Sequence, residues 1–191
     1  MSCAAITSLA ELVEFAKHNP GKLTYASTGI GGTSHLAAEL LASAASIESV
    51  HLPYRGGAAA ANDLITGRVD LMFDSSSAEN VTAGLLRALA VTSEQRTKLF
   101  PDTPTVAELG YPKFSASAWF AIWTTGGSPA DCVDKLSVDI NAVLKDDLIQ
   151  SRFTTLGASI VGTPPEATAK FLEAEAKRWG DLIRERGLKL N

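Results

Sequence analysis

A chain of 191 residues, 46% hydrophobic and 20% charged, has room for one large domain or two small ones and is too apolar to be disordered. A net charge of −4, with no basic cluster interleaved with aromatics, argues against nucleic acid as a partner. No apolar run reaches membrane-spanning length, and Met1-Ser2-Cys3-Ala4-Ala5 lacks the basic start and apolar core of a secretion signal. Cys3 and Cys132 are too few for a disulfide framework or zinc site, and no His/Cys/Asp/Glu cluster has metal-ligand spacing.

Thr7 or Ser8 opens a first helix, with Glu11 placed for a capping box and Leu9, Leu12, Val13 and Ala16 at helical spacing. His18-Asn19-Pro20-Gly21 ends it. A strand over 23–26 then runs into Ser27-Thr28-Gly29-Ile30-Gly31-Gly32-Thr33-Ser34-His35 and a helix over 34–44, for which Thr33 or Ser34 is the natural N-cap. A strand over 50–54 opens into Arg55-Gly56-Gly57, and a helix over 58–66 stops at Gly67. Further strands are expected over 69–73, ending at Asp74 and three serines, and over 87–91. Loop and a short helix beginning near Thr105 fill 99–111.

Trp119-Phe120-Ala121-Ile122-Trp123 reads as a strand with Trp119 and Trp123 in the core. A helix begins at Pro129 with Ser128 as cap, and its face carries Val133, Leu136, Ile140, Val143 and Leu144. Cys132 shares the face of Leu136 and Ile140 and reads as buried filler. A shorter helix over 153–156 ends at Gly157, a strand follows over 158–161, and Thr163-Pro164-Pro165-Glu166 opens a last helix stopped by Gly187. Strands alternating with helices imply an α/β fold with a largely parallel sheet, whose ligands bind where loops leave the carboxyl ends of strands.

Strand, glycine-rich loop and helix N-terminus together form a recipe for holding an anion. The loop has no lysine after Gly32, no third glycine of a dinucleotide fingerprint and no nucleophile elbow, so a carboxylate is the simplest remaining guest; a purely structural loop is the competing reading. Asp74 could accept hydrogen bonds from a ligand or fasten its own loop, and the two readings weigh equally. His35 could donate to a carboxylate, although a first-turn bond to backbone is the favoured reading, and His51 reads as packed. Arg55 could grip a carboxylate, with an exposed salt bridge as the default. Ser34, His35 and Asp74 invite a hydrolase reading, but adjacent Ser34 and His35 do not face each other on a helix.

These stretches, together with Asn19-Pro20-Gly21-Lys22-Leu23, Leu52-Pro53-Tyr54-Arg55-Gly56, Gly67 to Asp74, Leu86 to Ser93, and Pro101-Asp102-Thr103-Pro104-Thr105, resemble the Bug, or TctC-like, solute receptors of tripartite tricarboxylate transporters. The resemblance runs through nearly the whole chain in the family's order. It implies a periplasmic-binding-protein-like (type II) clamshell, of which this chain holds one complete α/β domain, residues 1–117, and the C-terminal part of another, 118–191. The family's signal segment and the first strands of its domain one would precede Met1.

By the same resemblance Ser27, Thr28, Gly29, Thr33, Ser34 and His35 form the carboxylate-side loop, and Asp74 with Ser75 reads the rest of the ligand. The implied protein is a periplasmic binder, not an enzyme, without cofactor or catalytic residue. Its partners are a small organic carboxylate and membrane transporter subunits. Alternatives are a truncated non-transport paralogue that self-associates through the incomplete domain and, at greater distance, a small α/β hydrolase using Ser34 or a serine near Asp74.

Overall fold

A computed structural model describes residues 6–189; the reading of Met1–Ala5, Cys3 included, lies outside them. Helix α1 (Leu9–His18) forms where the apolar spacing predicts it. The Ser8 hydroxyl accepts from the Glu11 amide, and the Glu11 carboxylate reaches back to the Thr7 amide and hydroxyl. Three parallel strands follow, β1 (Leu23–Ser27), β2 (Ser49–Pro53) and β3 (Leu71–Met72), in the order β2-β1-β3. Between them run α2 (Thr33–Ala45) and α3 (Gly57–Ile65), and a short α4 (Ala78–Thr82) follows β3.

Side chains alternate across β1. Tyr25 reaches α2, while Ala26 packs with Ala60 of α3 and with Val69. The central strand is thus covered on both faces, and Leu23, Tyr25, Ala26 and Ser27 have no exposed surface. Asp70 fastens β3 to β1: its carboxylate accepts from the Thr24 amide (2.9 Å) and hydroxyl (2.7 Å).

Two compact units divide the chain, Met1–Ala118 with Leu182–Asn191, and Trp119–Asp181. The first holds the sheet, its helices and the core just described. In it, residues 182–189 attach to α2 through the Glu185 carboxylate, which accepts from Ser43, and through the ion pair of Arg186 with Glu39. The second holds α5 (Ala130–Val143), α6 (Asp147–Thr155) and most of α7 (Pro165–Arg186), which Gly187 ends. None of its described residues is buried.

Several expectations are corrected. Residues 87–91 form no strand; a single bridge joins Val91 to Thr105. Thr105 and Glu108 exchange the bonds of a capping box, yet only turns follow, not a helix. Residues 119–123 and 158–161 form no strands, because β-propensity becomes a strand only where a neighbouring ladder accepts it. Trp119 and Trp123 are exposed rather than core; Trp119 packs edge-on against Phe171 at 5.4 Å. Cys132 is exposed rather than buried filler, and the α5 stripe is at most half-buried, as at Val133, Ile140 and Leu144. The cap of α5 is Pro129, with the Ser128 hydroxyl donating instead to the Thr125 carbonyl. Helix α6 starts earlier than expected because Asp146 caps it, accepting from the amides of Leu148 and Ile149.

Candidate functional site

The sheet is parallel, so its three strands deliver their loops to one edge. Ser27-Thr28-Gly29 leaves the central strand, Tyr54-Arg55-Gly56 leaves β2 on one side, and Phe73-Asp74-Ser75 leaves β3 on the other. The approach is close. A methyl on Gly57 would lie 2.8 Å from the Ser76 hydroxyl and 3.7 Å from an Asp74 carboxylate oxygen, so the start of α3 and the β3 loop are in contact.

At that edge both α2 and α3 have glycine at the cap, Gly32 and Gly56, and neither receives a side-chain cap bond. The expected caps are therefore corrected: Thr33 is the first helical residue, and the Ser34 hydroxyl is spent on Thr28, accepting from its amide at 3.0 Å and lying 3.1 Å from its hydroxyl. By contrast α1, whose Ser8 cap engages the Glu11 amide, follows the usual rule. An α-helix leaves its first amides without internal acceptors, so the N-termini of α2 and α3 present donors and positive dipole ends at the sheet edge.

The loop rests on a buried polar stack. Tyr25 and His51 are partners in strand register and therefore project to the same face, where α2 adds His35. The His35 and His51 rings stack at 4.0 Å between centroids, and Tyr25 and His51 at 4.9 Å. The Tyr25 hydroxyl donates to Glu39 at 2.6 Å, and Arg186 Nε donates to the other Glu39 oxygen at 2.8 Å. Burial lowers the proton affinity of His35; His51 is lowered by burial and then by His35 beside it. Burial and the Glu39 carboxylate raise that of Tyr25. These rings are neutral at pH 7.

Two bonds tie the stack to the loop. The Gly31 amide donates to His35 Nδ1 at 3.0 Å, and the Ser27 hydroxyl meets His51 Nε2 at 2.6 Å. Ser27 also accepts from the Gly29 amide and donates to the Gly29 carbonyl. Gly31 sits at φ +75°, a conformation that favours glycine.

The expected residues thus occupy different depths. Thr28 and Thr33 are exposed, Gly29 half-buried, and Ser27, Ser34 and His35 buried. Asp74 and Ser75 are exposed, with Asp74 accepting from the Ser76 and Ser77 hydroxyls at 2.6 and 2.8 Å. Ser34 does not pair with His35. Ser27 is buried beside a half-buried His51 with its hydroxyl committed, so neither serine is an activated nucleophile. No cluster of metal-binding side chains and no helix long and apolar enough to cross a membrane occurs among the described residues. Sequence reasoning missed Glu39 and left His51 as packing. A lone carboxylate inside Leu36-Ala37-Ala38-Glu39-Leu40-Leu41, four residues after His35, was the available signal.

The chain is 40% identical, over 96% of its length, to the UPF0065 protein in the tcbD-tcbE intergenic region of a Pseudomonas species, and spans 55% of that relative. Rpa4515 of R. palustris, solved with adipate, superimposes with a TM-score of 0.85 at 32% identity over 96% of this chain and 62% of its own. The periplasmic binding protein BugD gives 0.81 at 35% identity, over 97% of this chain and 63% of its own. MatC of Rhodopseudomonas palustris, solved with bound malate, gives 0.76 at 27% identity, over 92% and 62%. The fold is therefore that of the periplasmic binding proteins, one α/β domain plus part of a second, and members of this group are solute-binding receptors rather than enzymes. Residues 2–188 match the family described as tripartite tricarboxylate transporter family receptor, and the chain belongs to that family.

Proposed function

We propose that this chain carries the ligand-gripping domain of a periplasmic receptor for a small organic carboxylate, which it delivers to a tripartite tricarboxylate-type membrane transporter. The observation that carries the reading is the pair of uncapped, glycine-initiated helices at one edge of a parallel sheet. A carboxylate satisfies such amides and their dipoles together. Residues 1–117 form the domain, with the end of α7 from Leu182 packed on them, and the rest of 118–191 contributes to its partner domain. Ligand oxygens are held by the backbone of Thr28 to Ser34 and the Thr28 and Thr33 hydroxyls. Ser27 and His35 support them from below, and Asp74 with Ser75 reads the distal end. The adipate and malate bound by two similar proteins support a dicarboxylate.

A thermal-shift titration tests this. A ligand at a hundredfold excess over its dissociation constant adds about 2.7 kcal/mol. For a chain of this size, that is roughly 5–10 °C in melting temperature. Indifference to mono-, di- and tricarboxylates alike would sink the reading.

A second reading, a non-transport paralogue that self-associates, draws on the absence of any buried residue between 119 and 181 and on Phe120 at 98%, Ile122 at 75% and Val161 at 79% exposure. Sedimentation of a concentration-dependent dimer that no carboxylate perturbs would favour it.

A further inference from the structure

We propose that His35 is the positioning residue that keeps the Gly29–Gly32 loop in its anion-receiving shape, and that proton uptake by the stacked His35–His51 pair unlatches the loop. The functional consequence, release of bound carboxylate on mild acidification, rests on the reading that this loop grips the ligand; the latch itself does not.

Hydrogen-bond accounting fixes the His35 tautomer. The Gly31 N–H points at His35 Nδ1, so that nitrogen is an acceptor and the neutral ring carries its proton on Nε2. Ser27 has one proton, given to the Gly29 carbonyl, and it also accepts from the Gly29 amide. Its 2.6 Å contact with His51 is met by a donating Nε2–H, or by the Ser27 hydroxyl proton turning from the Gly29 carbonyl to that nitrogen. A proton added to His35 must go on Nδ1, where it meets the Gly31 N–H head-on. One of the loop's ties is then lost, at a residue whose φ of +75° already favours glycine.

The surroundings direct the proton to His35. Glu39 follows His35 by one helical turn on α2 and is, among the described residues, the acidic group that faces the pair. Arg186 from the end of α7 tempers Glu39, and Tyr25 from β1 is neutral. His51 is disfavoured twice, by burial and by the ring 4.0 Å away. Two stacked cations at that distance repel, so the pair takes up its first proton in a macroscopic step separated from the second, which comes at lower pH.

The test follows the imidazole nitrogen and glycine amide signals of the full chain, without ligand, as pH is lowered. The Gly31 amide is expected to shift with the same midpoint as His35 Nδ1, below the ordinary histidine range, and to lose protection from exchange about tenfold, the worth of one hydrogen bond. In His35→Asn the side-chain oxygen can accept near the Nδ1 position but cannot titrate; the Gly31 signal should stay near its neutral position and lose its pH response. A Gly31 amide that stays still while His35 protonates overturns the proposal, as does a first proton residing on His51, or a pH response that survives in His35→Asn. Adipate titrations at neutral and acidic pH form the second arm. Co-titration of His35 and Gly31 without adipate binding at any pH leaves the latch standing and counts against the carboxylate reading.

Discussion

Glu39 gives the sharpest test of how the first unit is held together. Its two oxygens serve different elements: one accepts from the Tyr25 hydroxyl on the central strand, the other from Arg186 in the last turn of α7. In Glu39→Ala the Tyr25 hydroxyl, with no exposed surface, keeps a proton and no acceptor, at a cost of about 1–3 kcal/mol. The charge-assisted bond it made adds about 1.5–3 kcal/mol, whereas Arg186, 29% exposed, recovers part of its loss by rehydration. The sum is about 2.5–6 kcal/mol, or roughly 5–24 °C in melting temperature for a chain of this size. Tyr25→Phe alone should cost only about 1 kcal/mol, because Glu39 retains Arg186. In Tyr25→Phe the orphaned hydroxyl is gone, so adding Glu39→Ala to it should cost clearly less than in the wild type. Urea unfolding of the four chains measures each term. A Glu39→Ala chain within about 0.5 kcal/mol of wild type, inside the scatter of surface substitutions, would refute the reasoning.

Three other perturbations follow from the same geometry. Gly57→Ala places a methyl 2.8 Å from the Ser76 hydroxyl that Asp74 holds, so the β3 loop must shift; carboxylate affinity by calorimetry should fall about tenfold, with stability changed by about 1 kcal/mol or less. Asp70→Ala strips Thr24 of two bonds and loosens β3, costing about 2–3 kcal/mol in denaturant unfolding, while Asp70→Asn, whose amide oxygen can replace the one carboxylate oxygen that accepts both, should cost only about 1 kcal/mol or less. His35 and His51 bind protons less readily folded than unfolded, so the unfolded chain gains protons as pH falls. Stability is then full above about pH 6.5, the unfolded histidine value, and declines below it through the folded values; urea midpoints that rise on acidification through that window would contradict the assignment.

The parts of this protein that were readable in advance are those set by neighbours in sequence. Ser8 with Glu11, the glycine-rich loop and the strand before it, and the stop at Gly187 are local signals that the structure satisfies locally. What escaped depends on distant partners. Residues 87–91, 119–123 and 158–161 have the composition of strands but no ladder to join among the described residues. The Tyr25–His51 stack exists because of a register between strands 26 residues apart, which no local pattern encodes. Even the loop was read for the wrong cap: Thr33 and Ser34 are better capping residues than Gly32, and that preference loses because the Ser34 hydroxyl is engaged by Thr28.

That misplaced cap separates a binding loop from a merely structural one. Gly32 has φ −72° and ψ 166°, ordinary values for any residue, and a methyl there would meet the Gly29 carbonyl oxygen at 3.5 Å and the Thr28 hydroxyl at 3.8 Å, ordinary contacts. Nothing in the backbone requires glycine. Gly32→Asp supplies both a side-chain cap and a negative charge at the positive end of α2, together worth about 0.5–1 kcal/mol of added stability. If the loop is structural, the variant is more stable and otherwise unchanged. If the amides of α2 are kept open for a carboxylate, the new side chain occupies that site. The variant should then melt roughly 1–4 °C higher and bind carboxylate at least about tenfold more weakly, the stability–function exchange expected where an unsatisfied helix end is retained for a ligand. Paired melting and calorimetric titration with adipate decide it. A Gly32→Asp chain that gains stability and still binds adipate with wild-type affinity would remove the end of α2 from the site.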